Sequence, residues 1–179
     1  DIVCMLLAAG AGTSASDCRG DAPVHAAAEV GHPEVLLSLC RAGAKMDAVN
    51  RNGATPLHQA AACGHAAVIR CLGEAGAELS AALPDGLTAL HVAAARGRVE
   101  ALRCLCELGV DRELVTCNGE TALHTAVQYG HLEAVRHLCR AGADQERRGH
   151  RAAPLEYADA LGLRELAAFL RAARPNAAE

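Results

Sequence analysis

The sequence predicts an all-α solenoid: one stack of antiparallel helix pairs, with β-hairpin-like turns projecting to one side. Three observations lead there. Histidines recur at His25, His58, His91 and His124, each 33 residues after the last. Gly31, Gly64, Gly97 and Gly130 keep the same interval, as do Gly43, Gly76, Gly109 and Gly142. A fixed period of this size marks a repeat architecture, in which each unit buries its apolar face only against its neighbours. Composition agrees. The chain is 51% hydrophobic but only 2% aromatic and has no Trp, so its core must be built from Ala, Leu, Val and Cys, which allow helices to approach closely.

Each element of the unit has a local cause. Thr55 and Pro56 open the first helix, with Pro in the first turn where its missing N–H costs nothing. Leu57 to Cys63 is short and Ala-rich, and it stops at Gly64, a residue suited to a left-handed cap. In the second helix Val68, Ile69 and Leu72 fall at helical spacing, and Gly76 closes it. Glu78 to Asp85 then forms a polar, mostly extended connection. The helix pairs are expected to centre on Val24–Leu39, Leu57–Leu72, Leu90–Leu105 and Leu123–Leu138.

The segments ATPLHQAAACGH (54–65), LTALHVAAARGR (87–98) and ETALHTAVQYGH (120–131) resemble the signature of the first half of an ankyrin repeat. VIRCLGEAGA (68–77) and AVRHLCRAGAD (134–144) resemble its second half. By this resemblance the whole chain is one ankyrin-repeat domain. A partial repeat spans 1–16, full repeats span 17–49, 50–82, 83–115 and 116–148, and a C-terminal capping repeat spans 149–174. The last unit departs from the pattern. Glu156 stands where His is expected, and Gly162 follows Gly130 by 32 residues. Arg164, Arg171 and Arg174 give that unit the polar outer side a cap needs. At the other end the apolar start of the partial repeat would lie bare, so further sequence is expected before Asp1.

Chemical signals point away from catalysis. A net charge of -4 argues against a general nucleic-acid footprint, which is usually basic. No uninterrupted apolar run is long enough for a membrane span, and no signal peptide opens the sequence. The histidines look catalytic in isolation, but the resemblance gives them a structural role. Thr55 with His58, Thr88 with His91 and Thr121 with His124 form hydrogen-bonding elements that tie neighbouring turns. His25 has Ala22 in place of Thr, so that bond should be missing. His32, His65 and His131 follow the helix-ending Gly, again a family position. His58 with His65, or His124 with His131, would make a poor metal pair because a Gly break separates them.

The nine cysteines fall in phase with the repeat. Cys71 and Cys104 are expected at a core Leu position of the second helix, and Cys40, Cys106 and Cys139 at another, acting as small buried hydrophobes. Cys63 and Cys117 are the expected exposed, reactive thiols. Reduced thiols of this kind fit a cytoplasmic or nuclear setting. There is no phosphate-binding Gly loop and no nucleophile elbow. The expectation is a non-enzyme with no cofactor and no metal.

Ankyrin domains bind through loop tips and the exposed side of the first helices, which form a concave face. The positions on which the family signature is silent are therefore the candidate partner contacts. In the first full repeat they include Arg19, Asp21 and Glu29, and in the second Arg51, Asn52 and Cys63. The third contributes Asp85, Leu87 and Arg96, and the fourth Asn118, Glu120, Gln128 and Tyr129. Arg51, Arg96 and Tyr129 lead, being interface anchor types. Tyr129, Tyr157 and Phe169 are too few and too scattered for an aromatic cage around methylated lysine. The expected function is an interaction scaffold or adaptor that binds another protein or peptide segment, without nucleic acid or membrane insertion, as a monomer. The alternative is a substrate-recruiting or regulatory segment of a larger enzyme or channel. Many relatives carry a hydroxylatable Asn after the second helix. Here Asp47, Ser80, Glu113 and Glu146 hold that position, so the usual modification is not expected.

Overall fold

The computed structural model describes residues 5–7, 9–150 and 152–173. Expectations resting on Asp1–Cys4 and on Arg174 lie outside them. After a helical stretch at 5–7, the elements come in pairs: α1 (Pro23–Val30) with α2 (Pro33–Arg41), α3 (Pro56–Cys63) with α4 (Ala66–Glu74), α5 (Ala89–Ala95) with α6 (Val99–Glu107), α7 (Ala122–Gln128) with α8 (Leu132–Arg140), and α9 (Pro154–Ala160) with α10 (Arg164–Ala173). First helices pack on first helices and second on second along the stack, and each helix also packs on its pair-mate. The all-α solenoid holds. Among the described residues the only strand-like pairing outside helices is an isolated antiparallel bridge between Ala82 and Thr88.

The turns between pairs are tight hairpins. In each, an N–H reaches a carbonyl a few residues on: Asp17 to Asp21, Asn50 to Ala54, Leu83 to Leu87, Thr116 to Glu120, and Gly149 to Ala152. Short polar side chains at the first position brace the hairpin from inside. The Asn50 Oδ1 accepts from the Asn52 and Ala54 N–H groups, each at 3.0 Å. The Asp17 Oδ1 accepts from the Arg19 and Asp21 N–H groups, each at 2.8 Å, in the manner of an Asx turn.

The core is one apolar column of Ala and Leu. Ala60, Ala93 and Ala126 are fully buried between first helices, while Leu72, Leu105 and Leu138 are fully buried in the second helices. Cys71 and Cys104 sit one residue before that Leu position rather than on it. Cys104 is buried and its thiol donates to the Ala66 carbonyl at 3.4 Å, whereas Cys40, Cys71, Cys106 and Cys139 are only half-buried. Burial nevertheless raises the Cys71, Cys104 and Cys106 thiols above their ordinary value and pushes Cys139 up to about 11. Cys63 is half-buried, and Cys18 and Cys117 are exposed.

Glycine is required where repeats touch. Gly97 has φ +62°, and a Cβ there would lie 2.7 Å from the His131 ring. Gly31 has φ +85° and meets the His65 ring at the same distance. A left-handed backbone and a side chain from the next repeat thus exclude any larger residue from the same point.

Candidate functional site

Two polar ladders position the face on which the candidate residues lie. In the first, His58 Nδ1 accepts from the Thr55 N–H at 3.3 Å and the Thr55 hydroxyl at 2.8 Å. Its Nε2 lies 3.1 Å from the Leu87 carbonyl of the next repeat. His91 repeats this with Thr88 and the Glu120 carbonyl, and His124 with Thr121 and the Ala152 carbonyl. All three imidazoles are held below their ordinary pKa by burial. At His58 and His91 a neutral ring with its proton on Nε2 fits this arrangement, because Nδ1 faces donors and Nε2 faces a carbonyl, whereas the His124 Nε2 also meets the Gly149 N–H at 3.1 Å. The His25 expectation needs correcting. Ala22 removes only the hydroxyl bond. The Ala22 N–H still reaches Nδ1 at 3.1 Å, and Nε2 meets the Ala54 carbonyl at 3.0 Å.

The second ladder runs backward. His65 Nε2 pairs with the Glu29 carbonyl at 3.0 Å, the Arg98 Nε donates to the Ala62 carbonyl at 3.1 Å, and His131 Nε2 pairs with the Ala95 carbonyl at 3.0 Å. These carbonyls belong to the last turns of first helices, where no intrahelical donor remains. At the C-terminal end the ladder stops, because Leu163 faces Gly130. At the other end of these first helices, the Tyr157 hydroxyl donates to the Glu120 carboxylate. Glu156, standing where His is expected, accepts the Ala153 N–H at 3.1 Å and keeps that cap closed.

The hairpin tips are linked too. The Arg51 N–H reaches the Arg19 carbonyl at 3.1 Å, Cys117 reaches Asp85 at 2.9 Å, and His150 reaches Asn118 at 3.1 Å. Pro84 has no N–H to offer, so the same link cannot form between the second and third full repeats.

Cross-repeat tips, periodic histidines and helix-ending glycines together match the expected family. A family model described as ankyrin repeats (3 copies) matches residues 1–82 and 77–149. The chain belongs to the ankyrin-repeat family. A comparison with curated proteins gives no match.

The candidate contacts of this ankyrin stack divide by what they already touch. Arg51, Asn52, Arg96, Asn118, Gln128 and Tyr129 are exposed on the tips and first-helix ends, as is Asp85. Leu87, Glu120 and Cys63 are half-buried. Asp21 is not on the surface at all. It is 6% exposed, its Oδ1 accepts from Asn50 at 2.7 Å and Gln59 at 3.0 Å, and its Oδ2 pairs with Arg19 at 3.1 Å. It is a brace between the first two full repeats rather than a contact. Arg19 and Glu29 remain exposed but are joined to each other at 3.2 Å, across the mouth of the first repeat.

Farther along, Asp85, Leu87, Asn118, Glu120, Gln128 and Tyr129 line one depression of about 150 Å³, with Thr116 and Thr125 among the other lining residues. Tyr129 is 59% exposed, and its ring stacks on His131 at 6.5 Å between centroids and 14° between planes. Two residues across a glycine break thus make a fixed aromatic platform, which periodicity alone does not reveal. Asn118, Gln128 and Tyr129 are brought together with Asp85 of the preceding repeat, while Arg51, Asn52 and Cys63 belong to the neighbouring stretch of the same face.

No helix among the described residues is long and apolar enough to cross a membrane. Ankyrin repeats are generally protein–protein interaction modules and typically non-catalytic.

Proposed function

We propose that this chain is an interaction scaffold or adaptor that holds a segment of a partner protein along its concave face, acting as a monomer in the cytoplasm or nucleus. The observation that carries this is the division of labour within each repeat. The periodic His residues are consumed by repeat-to-repeat bonds, and the periodic Thr residues by holding those rings. The side chains at the silent positions from Arg51 to Tyr129 point away from those ladders and form a face with one built depression. Solenoids recognise partners through extended surfaces of this kind, and mixed Arg, Tyr and amide composition suits a polar, adaptable interface.

The opposite side of the stack supports this choice by contrast. Its exposed second helices carry charges satisfied internally: Arg70 with Glu107, and Arg103 with Glu100 and Glu107. Photo-cross-linking residues placed at positions 52, 96 and 129, and separately at 70 and 103, test the proposal in cells that make the protein. Partner adducts from the first set and not the second are expected. Adducts only from positions 70 and 103 would move the interface to the second helices and overturn it.

A further inference from the structure

We infer that the depression between the third and fourth full repeats receives an arginine side chain from the partner. This deepens the proposed function and rests on it. The volume, about 150 Å³, is half the lower bound of an ordinary small-molecule site, about 300 Å³, so it suits a single long side chain. Its charged lining residues are both carboxylates, Asp85 and Glu120, and no basic residue lines it.

The rest of this face shows what those carboxylates lack. In the first repeat, Asp17, Asp21 and Glu29 all converge on Arg19. Arg19 occupies the tip position that Asp85 holds two repeats on, and Glu29 corresponds to Ala95. The chain therefore lays a guanidinium of its own across the first repeat, from the hairpin tip to the end of α1. At Asp85 the tip residue is reversed in charge. Among the described residues, neither Asp85 nor Glu120 has an Arg or Lys ion-pair partner. Asp85 uses Oδ1 for the Leu87 N–H at 3.2 Å, and Glu120 uses Oε1 for the Tyr157 hydroxyl. Both carboxylates are thus fixed in orientation by bonds that leave their charge uncompensated.

Tyr129 supplies the third element. Its ring is exposed at the rim and held by stacking on His131, which leaves a π surface for a cation. Guanidinium matches this set better than ammonium. It is planar, so it stacks on a ring, and its fork of donors engages a carboxylate in two bonds. The same preference appears within the chain, where the Arg136 guanidinium lies over the Phe169 ring at 5.6 Å while pairing with Glu133 at 2.9 Å.

The test uses the full chain, isotopically labelled for NMR. It is titrated with end-capped Gly/Ser peptides that differ only in carrying paired arginines, lysines, glutamates or no charge. The arginine peptide is expected to shift the amides of Asp85, Leu87, Asn118 and Tyr129 and to bind most tightly. Binding should weaken about two- to fivefold in Asp85→Asn and in Tyr129→Ala, the range for one exposed ion pair or one cation–π contact. Asp85→Asn keeps the Oδ1 acceptor and Tyr129→Ala removes an exposed ring, so both variants should keep the parent circular dichroism. Glu100→Gln, on the second-helix side, should leave the affinity unchanged. Equal binding of the lysine peptide would overturn the choice of arginine. Equal binding of the glutamate or uncharged peptide, or shifts confined to other repeats, would overturn the site. If concave cross-links are found while the arginine peptide shows no preference, this inference fails and the proposed function stands. Cross-links only from the second helices would sink both.

Discussion

Lowering the pH from 7.5 to 5.5 should destabilise this fold well before any carboxylate titrates. His58, His91 and His124 each present Nδ1 to two donors of the same repeat, the Thr N–H and hydroxyl, and Nε2 to a carbonyl of the next. A proton added to Nδ1 would set N–H against N–H inside a buried junction. Their folded pKa values are accordingly lowered, with burial the largest cause. The unfolded chain therefore binds more protons than the native one, and stability must rise with pH through this window. The contribution is fully present above the unfolded value of about 6.5 and is lost as pH falls below it toward the depressed native values. If the three native rings take up no proton above pH 5.5, each loses about 1.4 kcal/mol across the interval, so the upper limit is about 4 kcal/mol. That is a large share of the roughly 5–15 kcal/mol of a typical domain. Urea unfolding followed by circular dichroism at a series of pH values reads it directly. A midpoint that stays flat or rises between pH 7.5 and 5.5 would refute the assignment of neutral, bonded imidazoles.

Gly97→Ala should cost more than Gly76→Ala. Both positions have positive φ, worth about 1–2 kcal/mol of strain, but only Gly97 also faces a ring at 2.7 Å, while Gly76 has open space. Urea midpoints order the two, and equal losses would show that the His131 ring yields freely. Leu105→Ala and Leu170→Ala should each cost about 2–5 kcal/mol. Although Leu170 lies in the terminal repeat, at 1% exposure it is as buried as Leu105 at 0%. A Leu170 loss below 1 kcal/mol in the same assay would show that the capping repeat is frayed. Among the described thiols, labelling without denaturant should modify Cys18 and Cys117 first and Cys104 and Cys139 last, because exposure and thiolate formation act together. Mass spectrometry of timed aliquots checks the order, and early labelling of Cys104 would contradict it.

The fold was legible because its signals are periodic. Helix starts at Pro23, Pro56, Ala89 and Ala122 keep the 33-residue interval that His25 to His124 announce. α3 and α5 end before Gly64 and Gly97 as the cap argument requires. The site was legible only as a set of positions. Asp21 looks like its exposed counterparts in sequence, and its burial depends on Asn50 and Gln59, 29 and 38 residues away. Arg98 doing the work of His65 and His131 likewise needs the neighbouring carbonyl in view. For the same reason the acids at the modification position gain a role only in three dimensions. Asp47 accepts the Glu78 N–H at 2.8 Å and Glu113 the Asp144 N–H at 2.9 Å, each from the next repeat.

Both ladders end on main-chain oxygens, at Ala54, Leu87, Glu120 and Ala152 in one direction and at Glu29, Ala62 and Ala95 in the other. Three of these, Glu29, Leu87 and Glu120, are also candidate contacts of the concave face. A carbonyl oxygen is the same whichever side chain its residue bears. Substitution there can rewrite what the surface recognises while every stitch between repeats stays in place. Selection for a new partner and selection for a folded chain thus act on different atoms of the same residues, and neither needs to wait for the other.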